Sequence, residues 1–64
     1  MDNLLLKRQI NLNIKILKAE ISRLELAIES NKNGRFANEE RTIKHIEKMQ
    51  KQILDIKEII KSYE

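Results

Sequence analysis

ESNKNGRFANEE, residues 29–40, decides how this chain folds, because it is the one place where a helical pattern stops. It holds the only glycine in a chain of 64 residues that contains no proline. Asn33-Gly34 offers residues tolerant of a left-handed backbone, a common way to end a helix. Asn38 is a good N-cap, and Glu39 and Glu40 then fall in a first turn where the helix dipole favours anions. The stretch therefore predicts a hinge between two helices, with Phe36 plugging the closed end over Ile28 and Ile43. The alternative role for Phe36 is an exposed contact at the tip.

On the N-terminal side of this stretch, Ile10, Ile14, Leu17, Ile21, Leu24 and Ile28 are spaced alternately by four and three. That alternation is the seam of an amphipathic helix packed along another helix. Beyond the hinge, Ile46, Met49, Ile53, Ile56, Ile60 and Tyr63 repeat it, with Thr42 one step earlier. The two stripes mirror each other: positions 10 and 60, 14 and 56, 17 and 53, 21 and 49, and 24 and 46 each total 70. An antiparallel hairpin turning at Arg35 places each pair in one layer. The expectation is a single all-α domain over residues 1–64, with helix 1 at about 3–32, a turn at 33–37 and helix 2 at about 38–63.

A chain this short needs support. Below about 70–80 residues one core seldom supplies more than ~3–5 kcal/mol. Disulfides are excluded because there is no cysteine, and His45 is the only histidine, so a structural zinc site has no ligand set. Self-association remains. Helix 1 carries a second apolar line, Leu5, Leu12, Ala19 and Leu26, spaced by sevens, with Ile16 beside it. Leu6, Ala27 and Ile59 flank the main seam. A line of this length marks an interface, and isoleucine at both seam positions of helix 2 favours bundles of more than two strands. The hairpin is therefore expected to homodimerise into a four-helix bundle through Leu5, Leu12, Ile16, Ala19, Leu26 and Ile59. A trimer or a hetero-complex would bury the same line.

Reactive chemistry is sparse. One glycine makes no phosphate loop, Ser22, Ser30 and Ser62 have no evident base and acid beside them, and His45 sits at the seam edge. No enzyme activity, cofactor, metal or small-molecule substrate is expected. The chain carries 13 basic and 10 acidic residues, a formal charge of +3. Arg8, Asn11, Lys15 and Lys18 share one stripe of helix 1, and the mirror pairing brings Lys57 and Lys61 alongside. This flank could meet phosphate backbones or an acidic partner; otherwise it is a solvated face. No aromatic side chain interleaves it to stack on bases. Glu40–Lys44, Glu47–Lys51 and Lys51–Asp55 are ordinary surface pairs.

The longest apolar run, Leu4-Leu5-Leu6, is followed by Lys7-Arg8, too short for a membrane span or a secretory segment. With no cysteine, a cytoplasmic protein is expected. Abundant Lys, Ile and Asn match the composition of A+T-rich genomes, including phages and low-GC bacteria.

In layout, the chain resembles the Rop-type RNA-binding proteins, hairpins that dimerise into four-helix bundles, and the hairpin co-chaperones of type III secretion systems. Neither likeness includes a motif, so neither implies a function. Residues 51–63, KQILDIKEIIKSY, resemble the Ser-Gln-x-Leu-Asp motif of small sporulation phosphatases at Gln52, Leu54 and Asp55, but Lys51 stands where that family has serine. No family is assigned. The function expected is a non-catalytic protein–protein interaction module: an adaptor, inhibitor or regulatory subunit. The alternatives are a nucleic-acid-binding bundle using Arg8, Lys15, Lys18, Lys57 and Lys61, or an assembly or oligomerisation piece of a larger complex, a viral one among them.

Overall fold

A computed structural model of the chain describes residues 2–63. Two helices account for nearly all of them, α1 (Asp2–Lys32) and α2 (Glu40–Tyr63), with no strand among the described residues. At 1.5 Å per residue they are roughly 46 and 36 Å long. The molecule measures 54 × 16 × 12 Å, too short for the helices to lie end to end. They run side by side and antiparallel, joined by residues 33–39.

The apolar seam holds them together. Leu24 and Ile28 of α1 pack with Ile46, Met49 and Ile53 of α2, and Ile21, Ala27 and Ile56 close around this cluster. Both members of the 24/46 and 21/49 pairs belong to it. Burial is deepest near the hinge on α1 and fades toward its N-terminus, where Ile10, Ile14 and Leu17 are only half-buried. Ile60 is buried, whereas Tyr63, expected to continue the stripe, is exposed. The mirror pairing sets Tyr63 level with residue 7, so the first turn of α1 extends past the end of α2. Leu4, Leu5 and Leu6 are exposed there.

The hinge departs from expectation in three ways. No residue in it adopts a positive φ, Gly34 included, so the expected left-handed turn does not form. The α1 terminus tightens instead. The Asn33 N–H donates to the Glu29 carbonyl at 3.1 Å and the Gly34 N–H to the Asn31 carbonyl at 3.3 Å, bonds that satisfy carbonyls a helix end leaves free. The Asn31 side-chain amide adds a 2.7 Å bond to the Ala27 carbonyl. What Gly34 supplies is room: a Cβ there would lie 3.2 Å from the Ser30 carbonyl oxygen.

Second, α2 begins at Glu40 rather than 38. The Ala37 N–H bonds to the Gly34 carbonyl and the Glu39 N–H to the Phe36 carbonyl, so Asn38 is taken up in consecutive tight turns. The Glu39 carbonyl accepts the first helical bond, from Ile43 at 3.0 Å, which makes Glu39 the cap residue in place of Asn38. Third, the longer hinge carries Phe36 outward. Its side chain is 56% exposed and Ile43 is exposed too, so Phe36 is not the plug.

Candidate interaction surface

The two helices differ in how their apolar residues are distributed. Those of α2 concentrate on the seam side; those of α1 fall on two opposite sides. The outer line of α1 stands in solvent, with Leu5 66%, Leu12 53% and Leu26 73% exposed, and Ile16 and Ala19 exposed beside them. Ile59 of α2 is exposed as well. All six residues expected at an interface are thus at the surface of the single hairpin. Sequence reasoning overlooked Leu54, 63% exposed on α2. Its position one residue past the buried Ile53, off the spacing of the seam, was the available signal.

The amount of exposed surface is itself informative. The chain exposes 5700 Å², whereas a compact monomer of 7.6 kDa exposes about 4,300 Å². Its radius of gyration is 15.6 Å against about 10.7 Å for a compact domain of this length. The excess of about 1,400 Å² per chain is comparable to what each partner buries in an obligate dimer.

The five cations of the basic flank are all exposed, but four of them divide between two shallow, solvent-open grooves. Arg8 and Lys15 line one on α1 with Asn11 and Leu12. Lys57 and Lys61 line another on α2 with Leu54, Asp55 and Glu58. Two carboxylates therefore accompany the second pair, and Lys18 lines neither groove.

Among the described residues the ion pairs are Arg23–Glu20 and Lys44–Glu40, the latter at 3.4 Å. Arg23 grips Glu20 with two donors, its Nη2 and its Nε, the second at 3.1 Å. These hydrogen bonds, and then the guanidinium charge, hold the Glu20 carboxyl below its ordinary value. Lys44–Glu40 is one of the three pairs expected from spacing; Arg23–Glu20, three residues apart, was not anticipated. His45 and Ser22 are exposed. Among the described residues, no group of three metal-ligating side chains gathers and no helix is long and apolar enough to cross a membrane.

No protein-family model, curated protein or solved structure matches the chain.

Proposed function

We propose that the protein is a non-catalytic protein–protein interaction module, an adaptor, inhibitor or regulatory subunit, that works as a homodimer of hairpins forming a four-helix bundle. The observation that carries this reading is the outer line of α1. Leu5, Leu12, Ile16 and Leu26 stay exposed over nearly six turns of one helix, opposite a seam whose core is too small to stabilise the chain generously. Covering that line with a second copy supplies the missing burial and leaves charged outer faces for a further partner.

Leu12→Asp tests it. A carboxylate in a dry interface is costly, so the variant should sediment as a monomer at concentrations where the parent chain is dimeric. A Leu12→Asp chain that stays dimeric would remove the line from the interface and the reading with it. Nucleic-acid binding through Arg8, Lys15, Lys18, Lys57 and Lys61 makes a different forecast. Five phosphate contacts on duplex give a log–log salt slope of about −4 to −5, and Lys15→Glu with Lys18→Glu should abolish binding. The acids Asp55 and Glu58, which share a groove with Lys57 and Lys61, weigh against it.

A further inference from the structure

We infer that, within the homodimer proposed above, the second copy packs α1 against α1 in antiparallel orientation about a two-fold axis near Lys15 and Ile16. The two α1 helices then form the inner pair of a flattened bundle, and the two α2 helices flank them. This inference rests on the dimer reading and goes beyond it, because it fixes which helices meet and in which direction.

Three observations lead there. The first is angular. At 3.6 residues per turn, the line of Leu5, Leu12, Ala19 and Leu26 is centred about 170° around α1 from its seam with α2. A second hairpin seated on that line meets α1 from behind, which leaves α2 on the outside and its exposed Leu54 and Ile59 beyond this α1–α1 contact.

The second is the symmetry of the line. Positions 5 and 26 total 31, as do 12 and 19. A two-fold axis perpendicular to α1 therefore maps the line onto itself. Leu5 comes level with the second copy's Leu26, and Leu12 with its Ala19, so the large side chain at each inner layer meets a small one. A parallel pair would set Ala19 against Ala19 and leave a gap in mid-seam, between layers of leucine on leucine.

The third is charge. From residue 7 to residue 18, α1 carries Lys7, Arg8, Lys15 and Lys18 and no acid; from 20 to 29 it carries Glu20, Glu25 and Glu29 with Arg23. Antiparallel packing lays the cationic half of one copy along the half of the other that holds all three acids, although it also brings Arg8 level with the second copy's Arg23 and Lys15 beside its own counterpart. Parallel packing would double each charge cluster, which disfavours that register.

The chain contains no cysteine, so single cysteines report geometry directly. Leu5→Cys, Leu26→Cys and Ile16→Cys would each be treated with a bismaleimide spanning about 8–10 Å, the interaxial distance of packed helices. In the antiparallel pair, residue 5 of one copy lies about 32 Å along the axis from residue 5 of the other, at 1.5 Å per residue. Leu5→Cys alone and Leu26→Cys alone should therefore give no cross-linked dimer, their mixture should give it readily, and Ile16→Cys should cross-link to its own copy. Self-linking by both Leu5→Cys and Leu26→Cys would overturn the antiparallel assignment in favour of a parallel one. A dimeric mass by light scattering with no cross-link at any of the three would overturn the choice of face. A monomeric mass would overturn the dimer reading itself, a distinct failure. Circular dichroism of each variant checks that the helices are intact.

Discussion

Truncating Leu12 to alanine should weaken the dimer by about 60-fold, a figure that follows from its exposure in the hairpin. The change removes three carbons, worth roughly 0.8 kcal/mol each when fully buried. Leu12 is 53% exposed in the single hairpin, so about half of that, ~1.3 kcal/mol, remains to be gained on association. A two-fold interface contains the residue twice, which gives ~2.5 kcal/mol and, at 1.4 kcal/mol per decade, about 60-fold in Kd. Sedimentation velocity over a concentration series would measure the shift, with Lys51→Ala on the exposed side of α2 as a control that should leave Kd unchanged. Helix content at concentrations where both chains are dimeric should match the parent. A Leu12→Ala chain with the parent's Kd would refute the reasoning, because half a leucine side chain cannot enter an interface without consequence.

Four further outcomes follow from the structure. Gly34→Ala should change stability by less than about 1 kcal/mol, read by thermal unfolding, since its backbone is not left-handed and the Ser30 carbonyl, 3.2 Å from the added Cβ, has to give by only a few tenths of an ångström; a larger loss would mean either that this carbonyl is held too firmly to give or that the turn is left-handed in solution. Ile53→Ala, in the buried cluster, should cost about 2–4 kcal/mol in denaturant unfolding, whereas Leu54→Ala next to it should cost the hairpin far less. Added salt should weaken the dimer by a few-fold if opposite charges face each other across it, and strengthening by salt would point to the parallel arrangement. Glu20 is held below its ordinary pKa by Arg23, so its contribution is complete above the unfolded carboxylate value and is lost as pH falls through the lowered folded value. Glu20→Gln should flatten that part of the acid titration of helix content, a small effect for an exposed pair.

The hairpin was legible in the sequence because seam residues repeat with the helix period, and because their mirror relation about residue 35 has only one simple geometric meaning. The hinge was less legible. Asn33-Gly34 permits a left-handed ending but does not require one. The choice was made by backbone bonds from Asn33, Gly34, Ala37 and Glu39, which wind the chain through successive right-handed turns. Those turns use two more residues than expected, displacing the cap from Asn38 to Glu39 and moving Phe36 off the core. The loss of burial toward the open end was equally hidden, since the spacing of Ile10, Ile14 and Leu17 is as regular as that of Leu24 and Ile28. At the surface, the outer line of α1 could be read from its sevenfold spacing. Leu54 was not legible from the seam because it falls between Ile53 and Ile56, off the alternating spacing. The basic flank looked like one patch in a linear reading, but the fold sets Lys57 and Lys61 beside Asp55 and Glu58 in a groove of their own.

The central claim, that two hairpins cover each other's exposed α1 line, is tested most directly by the mass of the purified chain in light scattering across a dilution series. The account predicts a plateau at twice 7.6 kDa, falling toward the monomer only at the lowest concentrations. A mass of 7.6 kDa throughout would contradict it.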